Sequence, residues 1–414
     1  MQKLLSVVIP VYKVEGYIRK CLDSLLVKDE KLFNLLDVVV VNDGTPDRSA
    51  EFAREYEKKY PDVFRVIDQE NRGHGGAWNH GTELAVGKYL FYLDSDDWFD
   101  TEQFERLIKY LETADTDMVM LDGQKYYAET NTYVERTPHL STLEAERIYK
   151  TDEFDWHGCG IGYAMSYAHD TVYRTSMMQK YLPLFCEHVM YDDVSLQVIP
   201  IVIAKDFIYT HLDVYRYYIG RPGQSFDPKV RALRGADDIT KVIKFCLEWI
   251  TKHRAEIPKG GKREEWLEDN YQSMPTWHYY DLSTYDLDIS EQRLSYWDGY
   301  IQSNYSDIKP NIFVKKYRSL SFNSYITWFR RYKFLMRVNR YLKRQFMRPI
   351  KAVRNLFWDI QFRWHEFKIG MKEGREADRI EQESANPMAG LIYYKQCEVE
   401  RAERKRLHQL RKQK

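Results

Sequence analysis

The chain has 414 residues, 44% of them apolar and 30% charged, with 62 Lys and Arg balancing 62 Asp and Glu. That length allows two or three domains with cores of their own, and the composition excludes a disordered chain. No apolar run approaches the ~20 residues that a membrane-spanning helix needs. Neutrality hides an asymmetry: residues 315–414 carry 26 Lys and Arg against 10 Asp and Glu, and the first 314 carry 36 against 52. An acidic body with a basic tail points to an anionic partner for the tail.

The first 125 residues alternate strand and helix patterns. "LLSVVIPVY" is interrupted by Pro10 and no small-residue cleavage site follows, so it reads as a strand and not as a secretory signal. "VEGYIRKCLDSLLV" repeats at helical spacing through Ile18, Leu22 and Leu25. "LLDVVVVND" predicts a second strand, Asp47 to Lys59 a helix, and "VFRVID" a third strand. A helix over Ala77 to Val86 then leads to a fourth strand at Tyr89 to Leu93. Repeated strand–helix units predict an α/β domain with a mainly parallel sheet. From 125 to 230 the pattern is less regular, with strands at "TVYR" and "KDFIYTHLDVYRYYIG". A helix is expected near "DDVSLQVIPIVIA", ended or kinked by Pro200. Residues 235–310 read as mostly helical, broken at "IPKGGKREE". Apolar positions from Leu335 to Phe367 recur every three or four residues among Arg and Lys, with a kink at Pro349, and a last charged helix starts near Met388. The expected division is 1–230, 231–314 and 315–414. The five cysteines are scattered without metal-ligand spacing, which fits a reducing, cytoplasmic compartment.

The fourth strand ends in Asp94, Ser95, Asp96 and Asp97. Such a cluster either turns the chain and caps the next helix through Asp97 or Asp100, or shares a divalent cation that cancels its repulsion. In a parallel sheet, ligands bind beyond the carboxyl ends of the strands. The polar groups there, Asp43–Gly44, Glu70–Gly73 and Asp94–Asp97, therefore belong to one crevice.

These ordered motifs resemble the inverting GT-A glycosyltransferases of family 2, over roughly Leu5 to Ser225. "SVVIPVYKVEGYI" carries Pro10, Tyr12 and Glu15; "VVVVNDGTPDRS" carries Asp43; "NRGHGGAWNHG" carries Asn71, Gly73, Ala77 and Asn79. "GKYLFYLDSDDW" is similar to the family's D-x-D strand end, "YDDVSL" to its acidic pair, and "YRYYIGRPGQSF" to the loop that closes over the donor, with Arg221 and Ser225. The resemblance implies a nucleotide-diphosphate sugar donor, of the UDP type, bound by these residues with Asp94 and Ser95. It implies Mn2+ or Mg2+ on Asp96 and Asp94, with His211 completing the shell, and a general base at Asp193 or Asp192. Asp97 either supports these acids or caps the following helix. Trp78 departs from the family's usual Arg, and Arg221 is placed to supply that charge. His74, His80 and Trp156 to Tyr163 are candidate acceptor-lining residues.

The implied acceptor is a growing surface glycan, capsular, exopolysaccharide or teichoic, lipid-linked or not; no nucleic-acid partner is implied. Glycoside hydrolysis also uses two carboxylates, but leaves the nucleotide-type crevice without a role. A non-catalytic nucleotide-sugar or anionic-polymer binder is the other alternative. For the tail, the alternatives are an anionic membrane surface at the inner face of the cell membrane, a homo-oligomer seam, or an added helical subdomain.

Overall fold

Residues Leu5–Val11 are all buried and form the first strand, β1. A strand buried on both faces belongs inside a parallel sheet. β2 (Leu36–Asn42), β3 (Phe64–Asp68) and β4 (Tyr89–Tyr92) follow, giving the parallel block β3-β2-β1-β4. The computed structural model describes residues 2–135, 140, 143–156, 168–221, 228–283, 287–333 and 335–336. Helices α1 (Ile18–Asp23), α2 (Glu30–Phe33), α3 (Ser49–Lys59) and α4 (Gly73–Leu84) make the crossovers. Val7, Val38, Val40 and Phe91 are 0% exposed. Each such burial contributes about 1.5–3 kcal/mol.

α4 begins four residues before the expected Ala77. Gly73, Gly75 and Gly76 weaken the local helix signal, yet Gly75 and Gly76 are buried against the segment around 185–187. Packing wins over propensity there.

The second half of the sheet is mixed. β5 (Trp98–Phe99), α5 (Thr101–Leu111), β6 (Met118–Tyr127), β7 (Thr132–Glu135), β8 (Ile148–Lys150), β9 (Thr171–Arg174), α6 (Thr175–Lys180), α7 (Ile199–Ile203) and β10 (Asp206–Ile219) complete it. The order continues β4-β9-β6-β10-β5, with β7 beside β6 and β8 beside β10. β6 and β10 are parallel, while β5, β7, β8 and β9 run antiparallel to their partners. The mainly parallel expectation thus holds for the first block and gives way beyond it. Connections as short as 128–131, between β6 and β7, permit a hairpin and no crossover.

Residues Asp192–Gln197 form a 3-10 turn, and α7 has Pro200 in its first turn. Pro200 therefore opens a helix and does not end one, as its fixed φ and missing N–H favour.

α8 (Pro228–His253), α9 (Lys262–Leu282), α10 (Leu287–Asn304) and α11 (Ile312–Ser319) follow. They belong with the sheet to one compact unit, residues 1–320, and residues 321–414 form a second. Trp266 Nε1 donates to the Gln197 carbonyl at 3.4 Å, and Arg263 pairs with Asp152. In the second unit, residues 322–333 are helical. Of the basic amphipathic stripe only Leu335 and Met336 are described, both exposed. The rest of the stripe and the helix expected from Met388 lie outside the described residues. No described helix is long and apolar enough to cross a membrane.

Candidate active site

The carboxyl ends of β1, β2 and β4 open into a crevice of about 720 Å³. Asp43, just past β2, is 2% exposed. Its Oδ1 accepts from Gln69 Nε2 and the Arg72 N–H, both at 2.7 Å. Asn71 Nδ2 donates to the Asp43 carbonyl at 3.0 Å, and His80 Nδ1 lies 2.8 Å from Gln69 Oε1. His80 thus acts behind Asp43 and does not line the crevice.

β4 delivers the acids. Asp97 is 2% exposed; its Oδ2 accepts from the Tyr215 hydroxyl at 2.6 Å and its Oδ1 from the Tyr218 N–H at 2.7 Å. The helix cap is Asp100, which accepts from the Gln103 N–H at 3.1 Å, so Asp97 belongs to the crevice. Asp96 Oδ2 lies 2.9 Å from Arg221 Nε. Asp94 is held from two sides, by His74 Nε2 at 2.8 Å and His169 Nε2 at 2.9 Å.

Charge shapes these groups differently. Burial pushes the Asp94 pKa up, but His74 and His169 outweigh it and hold the carboxyl well below its usual range. Burial raises Asp96 despite Arg221, and burial with the charges of Asp96 and Asp94 raises Asp97 well above it. Divalent-cation sites gather acids in this way. Ligand atoms of Asp94, Asp97 and His169 lie within 4.8 Å of one another. Two carboxylates and an imidazole suit Mn2+ and, less closely, Mg2+. The donor set therefore fits the expected cation.

The segment around Tyr191 brings the acid pair to the same crevice. Asp192 is 5% exposed, and its Oδ2 lies 2.8 Å from His74 Nδ1. Asp193 is half-buried and lines the crevice. Burial, then the charge of Asp192, raises its pKa.

The structure also sorts the remaining candidates. Pro10, Tyr12, Gly73 and Ser95 line the crevice with the groups above. Glu15 is exposed and accepts from the Arg48 N–H at 3.3 Å, outside that lining. Asn79 is buried and works structurally: its Oδ1 accepts from the Leu184 and Phe185 N–H groups, and its Nδ2 donates to the Phe185 carbonyl at 2.9 Å. His211 is not brought to the carboxylates. It lies exposed on β10, 2.8 Å from the Tyr209 hydroxyl and 3.2 Å from Asp122. His169, and not His211, lies beside Asp94 and Asp97. Trp156 is core, with Nε1 donating to the Thr151 carbonyl at 3.0 Å; residues 157–163 and Ser225 lie outside the described residues. Sequence reading misses His169, Lys125, Tyr217 and Arg234, all of which line the crevice. The adjacent His169–Asp170 ahead of "TVYR" is the one local signal for them.

The profile of "Glycosyl transferase family 2" matches residues 6–181. The chain is 32% identical over 204 residues to the uncharacterized glycosyltransferase EpsJ of Bacillus subtilis (strain 168), covering 47% of this chain and 55% of that protein. It is 29% identical over 178 residues to the minor teichoic acid biosynthesis protein GgaB of the same organism, covering 38% of this chain and 20% of that one. The chain thus spans little more than half the length of EpsJ. Among solved structures it is similar to S. aureus TarS 1–349 in complex with UDP-GlcNAc, with TM-score 0.58, 16% identity, and coverage of 80% of this chain and 91% of that chain. That likeness establishes the GT-A-like fold.

Proposed function

Since residues 6–181 are a glycosyltransferase family 2 domain, we propose that this crevice moves a sugar, with inversion, from a nucleotide-diphosphate donor to a growing cell-surface glycan. The observation that carries this reading is that Asp94, Asp96 and Asp97 share one crevice with Asp192, Asp193 and Asp43, with His74 touching both Asp94 and Asp192.

Asp43 accepts from the nucleobase, with Pro10, Tyr12, Asn71, Gly73 and Ser95 completing the donor end. Asp94, Asp97 and His169 hold a divalent cation, with Asp96 beside them. When bound, that cation stabilises the negative charge of the departing diphosphate. Arg221 and Arg234 line the same space and add positive charge. Asp193 takes the proton of the acceptor hydroxyl; its raised pKa makes it a stronger base than an exposed carboxylate. A UDP-sugar is the donor class that TarS supports, because TarS was solved with UDP-GlcNAc. GgaB, a minor teichoic acid biosynthesis protein, supports a surface polymer of the teichoic acid kind as acceptor.

The test is sugar release or transfer from a panel of nucleotide sugars with Mn2+. Transfer is expected with one donor, and is lost in chelator or on Asp94→Ala, which removes one of the three ligand atoms. Full activity in chelator would remove the cation from the reading.

The basic tail takes the enzyme to an anionic membrane surface from the cytoplasmic side. Each Lys or Arg near such a surface contributes ~1 kcal/mol, screened by salt. Vesicles containing phosphatidylglycerol should sediment the full chain and lose it as salt rises. Binding indifferent to anionic lipid ends that part of the reading, and a fall in the number of subunits per particle on deleting 321–414 would favour a homo-oligomer seam.

A further inference from the structure

His74 touches both walls of the crevice. Its Nε2 is 2.8 Å from Asp94 Oδ1, on the strand that ends in the acid cluster, and its Nδ1 is 2.8 Å from Asp192 Oδ2, beside the candidate base. Both ring nitrogens are thus engaged, one by each carboxyl group. The ring rests on Trp78, with centroids 4.1 Å apart. Three contacts fix its position and plane.

The glycines on either side explain how it reaches. Gly73 has φ +75, and a Cβ there would stand 2.9 Å from the His188 nitrogen. At Gly75 a Cβ would come within 2.4 Å of the Cys186 carbonyl oxygen and 2.9 Å of Asp192 Oδ2. The stretch Gly73-His74-Gly75 thus lets the segment carrying Asp192 lie directly on the first turn of α4.

We propose that His74 is a positioning residue, which fixes the separation between the leaving-group end of the crevice and the base-bearing segment by bridging Asp94 and Asp192. The bridge rests on the glycosyltransferase reading above, and it concerns geometry along the reaction path and not donor affinity. A misplacement of 1 Å at a reacting centre costs about 10²-fold in rate. Loss of His74 leaves Asp193 on its own segment but frees that segment from Asp94.

The experiment is a double-mutant cycle of His74→Ala and Asp192→Ala, with kcat, KM and nucleotide affinity measured for each protein and folding checked by thermal melting. Each single variant should lose about 10²-fold in kcat, keep donor KM and nucleotide affinity within about threefold, and the double variant should lose little more than either. Gly75→Ala, which pushes the two segments apart while leaving the imidazole, should fall in the same direction. If His74→Ala does not fold, His74→Gln is measured in its place, since its amide cannot span both carboxylates. Additive losses, an unaffected kcat, or a loss confined to KM overturns the bridge while the transferase reading stands. A wild-type protein inactive with every donor ends both together.

Discussion

The two walls of the crevice are built by different means. The first comes from residues 10–97, where β1, β2, β3, α4 and β4 follow one another and strand pairing sets the strand ends. The second gathers His169, Asp192, Asp193 and Arg221 from separate segments. Side-chain bonds hold it: Asn79 grips Leu184 and Phe185, His74 meets Asp192, Arg72 pairs with Glu187, and Asp238 accepts from the Met190 N–H at 3.2 Å. A wall pinned by a few side chains can be moved by single substitutions, and a wall of paired strands resists them.

The largest expected effect separates what each wall does. Asp193→Asn should keep nucleotide affinity, which the proposed function assigns to the first wall, and lose about 10²–10⁴-fold in kcat, the range of general-base contributions. If Asp192→Asn gives that result and Asp193→Asn does not, the base is the buried neighbour. Binding calorimetry with single-turnover rates reads both quantities.

Asn79→Ala should follow in size. It strips two buried N–H groups and one carbonyl of their partners. Each such orphan costs about 1–3 kcal/mol, and urea unfolding should show at least one such loss. Nucleotide affinity should survive better than turnover; an equal loss of both would make the two walls one mechanical body.

The helices behind the second wall give a pH-dependent test. His278 on α9 lies with Nε2 2.7 Å from Thr240 Oγ1 on α8, the helix that also carries Asp238. Burial pushes its pKa down to about 3. The unfolded residue gains a proton near pH 6.5 while the folded one stays neutral, so its contribution is complete above pH 6.5 and declines toward pH 3. The slope is about 1.4 kcal/mol per pH unit for one proton. Comparing urea unfolding of wild type and His278→Gln at pH 7 and 5.5 isolates it: the wild type should lose more on acidification. Equal losses would mean that His278 is protonated inside the fold.

Arg72→Ala should have the smallest effect. The Arg72–Glu187 pair crosses between the walls, but both side chains remain a third or more exposed. Such pairs contribute about 0–1 kcal/mol. A larger loss in stability would show that the exposed rim helps to hold the second wall.

Legibility in the sequence follows the same division. β1 to β4, Asp43 and the acids at 94–97 depend on neighbours close along the chain, and local periodicity places them. Asp94 meets His169 across 75 positions, and Asp97 meets Tyr215 across 118. No local pattern encodes such a meeting. His211 shows why: β10 shifts register between Thr210 and Asp213 and again before Tyr215. Side-chain alternation cannot be carried through two such shifts, so the histidine expected at the metal faces Asp122. Trp78 is a different case. Read as a replaced arginine, it is 0% exposed and supports a neighbouring ring.

That indole has an optical consequence. Trp78 lies against His74, and a charged imidazole in contact with an indole quenches its fluorescence. A ligand that draws Asp94 or Asp192 away from His74 alters the ring's charge and tilt, and with them the emission of a single tryptophan. The difference in emission between the wild type and Trp78→Phe therefore converts the state of the crevice into light, without a label and without turnover.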